Sequence, residues 1–124
     1  MQVQKVFVLA DIEWNTNVQG VRSPTQLAAV KVDDQWNVVD RFAAFIRPQN
    51  ESFHNWQHIS YTGGSAVGFL SADSACDVLS DFLSWLEDGD VLLWWYDESA
   101  KFFSSLVENI LKNKVVFQGF RKKF

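Results

Sequence analysis

Val6-Phe7-Val8-Leu9-Ala10-Asp11-Ile12-Glu13 decides how this chain is read. Residues 6–12 are β-rich and almost continuously apolar, the pattern of a strand buried on both faces. The strand ends in Asp-Ile-Glu. Side chains at i and i+2 of a strand share a face, so Asp11 and Glu13 are expected side by side. Two carboxylates held that close repel unless a cation stands between them, and oxygen ligands suit a hard divalent ion such as Mg²⁺ or Mn²⁺. The plainer alternative is a fraying strand end with two solvated acids.

Outward from this strand, 15–24 (NTNVQGVRSP) reads as a polar turn segment. Residues 26–33 and 38–47 then read as two more strands, with Pro48 closing the second. Residues 50–70 carry a weaker pattern, in which Trp56, Ile59 and Tyr61 could anchor a short helix or packed loop. The clearest helix is 74–86: Ala75, Val78, Leu79, Phe82, Leu83 and Leu86 form one apolar stripe. Ser74 followed three residues later by Asp77 has the spacing of a capping box. Residues 91–96 (VLLWWY) predict a fourth strand, 98–112 a second amphipathic helix, and 115–120 a last short strand. The order β-β-β-α-β-α-β predicts an α/β fold with a mixed sheet flanked by helices.

Composition narrows the functional classes. The 124 residues have no repeat and no linker-like tract, and they predict a single domain spanning 1–124. No apolar run is long enough for a membrane helix, and the first residues lack the pattern of a secretory signal. The lone Cys76 excludes an intramolecular disulfide. Together these features predict a cytoplasmic protein. Cys76 itself is expected to serve as a small apolar helix residue. Charge is uneven: residues 1–111 hold 6 basic and 15 acidic residues, whereas 112–124 hold 5 basic and none acidic. An acidic body argues against holding nucleic acid by bulk electrostatics, but not against meeting it through metal ions.

The stretch VFVLADIEWNTN, followed by SPTQLAAVKVDDQWNVVDRFAAFIRP, resembles the opening of the DEDD superfamily of 3′–5′ exonucleases, the group of ribonuclease T and the proofreading subunit of bacterial DNA polymerase III. The matching positions are 26–33, Phe42, Phe45, Ile46 and Pro48. The segment His58-Ile59-Ser60-Tyr61-Thr62-Gly63-Gly64 is similar to a short family motif. The resemblance implies a ribonuclease H-like sheet. It also implies four acids holding two metal ions, with a His or Tyr base that activates water at a nucleic-acid 3′ end, DNA or RNA.

Asp11 and Glu13 correspond to the first two acids. Glu98, four residues after Trp94, fits the third, with Asp97 as the alternative. Both also have ordinary readings, Asp97 as a helix cap and Glu98 as a first-turn acid. Trp14 and Asn15, directly after the first acids, are the expected nucleotide contacts. No acid, histidine or tyrosine follows Glu108, so the fourth acid and the base have no counterpart. The chain is therefore read as C-terminally incomplete, stopping before the last motif. The expectation is an exonuclease-like domain that is weak or inactive, with a catalytically degenerate binding module as the alternative. A missing last helix also predicts uncovered apolar surface on one sheet face near Val6, Val8 and the last strand, and with it self-association as a homo-oligomer. His54 and His58 have the spacing of helical zinc ligands without a third partner.

Overall fold

The computed structural model describes residues 5–16, 20–47, 68 and 70–111. Strand β1 spans Phe7–Thr16, β2 Arg22–Val32 and β3 Val38–Phe45. Helix α1 spans Ala75–Trp85, β4 Val91–Trp94 and α2 Asp97–Leu106, which runs into a π-helical turn at Val107–Leu111. The sheet order is β3-β2-β1-β4. β1 pairs antiparallel with β2, β2 antiparallel with β3, and β1 parallel with β4. The predicted mixed α/β sheet is therefore present. The strand expected at 115–120, the 50–67 motifs and both histidines lie outside the described residues.

A tight turn joins β2 to β3. Asp33 accepts the backbone N–H groups of Gln35 and Asn37 through one carboxylate oxygen, both at 2.9 Å. Trp36 takes a positive φ of 66° there, a position that ordinarily favours glycine. Its ring offsets the strain by stacking on Phe7, with centroids 5.9 Å apart. The first strand runs further than the apolar pattern implies. The polar residues Asn15 and Thr16 still pair with Ser23 and Arg22, because a hairpin ladder is satisfied by backbone rather than by side-chain polarity.

Helix α1 begins as its sequence suggests, with Ser74 Oγ accepting the Asp77 N–H at 3.2 Å. Its stripe of Ala75, Val78, Leu79 and Phe82 is buried against Val8, Ala10, Ile12, Leu27 and Leu92. Phe82 is the hub: its ring meets Phe42, Trp85 and Phe103 at 5.2, 5.8 and 5.6 Å. Cys76 falls off the stripe and is exposed rather than packed.

Parity along β1 corrects one expectation. Val8, Ala10 and Ile12 are buried under the helices, whereas Leu9 is 39% exposed and Asp11 is exposed. The described helices thus cover one face of β1, not two. The open apolar surface is carried by Leu9 and its parallel partner Leu93, which is 38% exposed, and not by Val8. A continuously apolar run cannot reveal which of its two faces is covered.

Polar contacts fasten the end of α1, a buried set around Lys31 and an exposed one at Asp40. Lys31 Nζ lies 3.5 Å from Asp90 Oδ2, and the same ammonium donates to the Trp85 carbonyl and sits over the Trp85 ring at 4.4 Å. Trp85 Nε1 donates to Asp40 Oδ2 at 2.9 Å, joining the helix to β3.

Candidate functional site

Asp11 and Glu13 stand together on the open face of β1, as the i, i+2 spacing requires. Glu13 is half-buried, and its carboxyl is held above the ordinary value of 4.5. Burial is the largest cause, followed by the negative charge of Asp11 and a hydrogen bond that protonated Glu13 donates to it. This is the electrostatic condition that a cation relieves. A bulge follows immediately: Glu13 pairs with Gln26 but Trp14 with Pro24, leaving Thr25 unmatched. The bulge separates the carboxylate pair from the strand tip.

Beyond the bulge, side chains serve packing. Trp14 lies against Phe102 of α2, with centroids 4.9 Å apart, and the Arg22 guanidinium covers its ring at 5.1 Å. Asn15 is buried. The two residues expected to touch a nucleotide therefore offer it little free surface, because the hairpin extends through both and α2 packs on the first.

The structure does not gather the third candidate acids to the pair. Glu98 Oε1 accepts from Arg22 Nη1 at 2.7 Å, and the same guanidinium lies over Trp14. Asp97 is exposed at the start of α2, 3.5 Å from Lys101 one turn on. Among the described residues no group of three or more His, Cys, Asp or Glu side chains is placed to hold a metal ion. The donor set that fits a divalent cation is thus two hard oxygen ligands, Asp11 and Glu13. Such an ion keeps several waters when protein ligands are few.

Two depressions mark the surface, one of them bordered by Asp11. One crosses the open face between Leu9, Asp11, Ala28, Val30, Arg41 and Ala43, about 430 Å³ in volume. The other, about 360 Å³, lies at the end of β4, where Trp95 and Tyr96 lead into α2. Both aromatics are exposed, and both were read from sequence only as the end of a strand.

No family model matches the chain, and no curated protein sequence matches it. Solved structures do. A full-length 3′-exonuclease superposes with a TM-score of 0.73 at 16% identity, over 89% of this chain and 40% of that one. The nuclease domain of 3′hExo, a DEDDh family member bound to rAMP, gives 0.72 at 18% identity, over 86% and 60%. Exonuclease I of E. coli, in complex with a dT13 oligonucleotide, gives 0.67 at 17% identity, over 88% and 24%.

This chain has the fold of the DEDD-type 3′–5′ exonucleases.

The sheet is accordingly the ribonuclease H-like mixed sheet, with the antiparallel meander on one side of β1 and parallel β4 on the other. The chain spans 40% of the first of these proteins and 60% of the second, so their activities belong to longer chains. No helix among the described residues is long and apolar enough to cross a membrane.

Proposed function

We propose that this domain is a metal-dependent 3′–5′ exonuclease-like unit that acts on nucleic-acid 3′ ends. The observation that carries the reading is the Asp11–Glu13 pair, mutually repelling and facing open space on a strand of exonuclease fold. Asp11 and Glu13 would hold Mg²⁺ or Mn²⁺, and Asp97 or Glu98 would serve as a third acid after a side-chain rearrangement. When bound, such an ion lowers the pKa of water and neutralises charge on a phosphodiester. The protein's own part is to place two carboxylates on one rigid strand and to keep the neighbouring sheet face open to a strand end. Turnover by the chain is slow in this reading, because two placed carboxylates supply fewer ligands than two ions require.

A second reading is a catalytically degenerate module that keeps the fold for binding. The Arg22–Glu98 ion pair favours it, since a guanidinium already neutralises the better-spaced third acid. One experiment separates the two: 3′-labelled single-stranded DNA and RNA incubated with Mn²⁺, beside Asp11→Ala. Metal-dependent trimming that Asp11→Ala abolishes supports the exonuclease. Strand binding without trimming supports the module.

A further inference from the structure

We infer that the Arg22–Glu98 ion pair is a latch on the proposed cation site, opened by an exchange of partners. In the closed form Arg22 holds Glu98 at 2.7 Å. In the open form Arg22 passes to a phosphate of an arriving strand, and Glu98 turns to the divalent ion. The inference rests on reading Asp11 and Glu13 as the site of that ion.

The pair joins two segments that both adjoin the carboxylates along the chain or the ladder. Arg22 is the first residue of β2 and pairs with Thr16, in the hairpin that follows Glu13. Its guanidinium covers the ring of Trp14, the residue directly after Glu13. Glu98 stands in the first turn of the helix that follows β4, whose last residue, Trp94, pairs with Ala10 directly before Asp11. Phe102, one helical turn beyond Glu98, packs on Trp14 at 4.9 Å. Carboxylate and indole thus hold the guanidinium between them.

This contact is easily opened. The two side chains are 44% and 57% exposed, and a screened pair of that kind favours its closed form by at most about fivefold. Among the described residues it is made by one nitrogen and one oxygen, so the two-pronged grip open to a guanidinium is not used. Glu98 does not depend on Arg22 for its charge, because the helix dipole favours an acid in the first turn of α2. Asp97 differs: it is paired within its own helix, with Lys101 at 3.5 Å, and ties nothing across the fold.

A phosphodiester offers Arg22 a better partner. Its two anionic oxygens match the guanidinium fork, which then makes parallel N–H bonds instead of a single-point contact. Released Glu98 adds a third hard oxygen ligand to a site where Asp11 and Glu13 supply two. Charge stays balanced, since the guanidinium trades one anion for another while the freed carboxylate meets the cation. Strand and ion therefore bind with positive coupling, and linkage makes that coupling equal in both directions. With no strand present, the closed latch holds ion affinity down.

The test is calorimetric titration of Mn²⁺ into the parent, Arg22→Gln, Arg22→Met, Glu98→Gln, Asp11→Asn and the Arg22→Gln/Glu98→Gln pair. Arg22→Met keeps an apolar stem over Trp14, which separates loss of the latch from loss of packing. Both Arg22 variants are expected to bind Mn²⁺ about three- to fivefold tighter than the parent, and Glu98→Gln should cancel that gain. The titrations are then repeated with a thymidine tetramer joined by hydrolysis-resistant phosphorothioate linkages. It should raise the parent's affinity about fivefold and that of Arg22→Gln less than about twofold. A tetramer with uncharged methylphosphonate linkages should leave the parent unchanged.

Unchanged or weaker Mn²⁺ binding in both Arg22 variants would overturn the latch. So would an equal gain in the Glu98→Gln background, the mark of a general charge effect, or a full strand effect without Arg22. Failure of the exonuclease reading looks different, because Asp11→Asn would then bind Mn²⁺ as the parent does. Binding lost in Asp11→Asn with no gain in the Arg22 variants removes the latch alone, and no binding by any of the proteins removes both.

Discussion

Arg22 Nη1 lies 2.7 Å from Glu98 Oε1, tying the first residue of β2 to the first turn of α2. The side chains remain 44% and 57% exposed, so solvent screens the pair. A double-mutant cycle with Arg22→Ala and Glu98→Gln is expected to give a coupling below about 1 kcal/mol by chemical denaturation. Arg22→Ala should cost more than Glu98→Gln, because it also uncovers the Trp14 ring. If the cation site is the Asp11–Glu13 pair, Glu98→Gln weakens Mn²⁺ binding less than Asp11→Asn does. Calorimetric titration of both variants checks the order.

Glu13 predicts a trade between stability and metal binding. Its folded-state pKa is raised, so the folded protein binds this proton more tightly than the unfolded chain does. The stability it contributes is present below its ordinary 4.5 and lost as pH rises through the folded value. At pH 7 in EDTA, Glu13→Gln should therefore melt slightly higher than the parent. Adding Mn²⁺ should raise the parent's melting temperature and leave the variant's nearly unchanged.

Asp40 behaves in the opposite sense. The Trp85 indole N–H, then the Arg41 backbone N–H, hold its carboxyl below the ordinary 3.8. The stability it contributes is present above 3.8 and lost as pH falls through the lower folded value. Asp40→Asn should shallow the acid limb of a stability–pH curve below the ordinary 3.8, with little change in the curve's shape near neutral pH.

The buried Lys31–Asp90 pair should be costly to break from one side. Asp90 also accepts the Glu87 N–H at 3.0 Å, so Asp90→Ala strands both an ammonium and a turn amide. The expected loss is about 3–5 kcal/mol in denaturant unfolding. Replacing both partners, as Lys31→Met with Asp90→Leu, should recover part of it.

Much of the architecture was legible because its signals are local. The stripe from Ala75 to Phe82 follows helical spacing, and the Ser74 cap is a three-residue motif. Asp11 and Glu13 were legible as a pair because strand geometry fixes i and i+2 on one face. The partner of Glu98 was not, since Arg22 is 76 positions away and meets it only through the folded sheet. Neither was the break after Trp94. VLLWWY has high β propensity throughout, and pairing with β1 rather than residue type ends the strand there. The packing of Trp14 on Phe102 and the burial of Asn15 likewise depend on tertiary pairing and were not legible in the local sequence.

The rung between Ala10 and Trp94 has a kinetic consequence. β1 to β3 form by successive hairpins, each closing a short loop, whereas β4 reaches β1 only after the intervening chain has been drawn in. Contacts of that span form slowly because loop-closure entropy must be overcome first. Asp11 and Glu13 therefore belong to the early-folding meander, and Trp95 and Tyr96 arrive with the late strand. During refolding, protection of β1–β2 amides should precede that of β4, and a chain at that stage would hold the two acids on a sheet without its parallel strand.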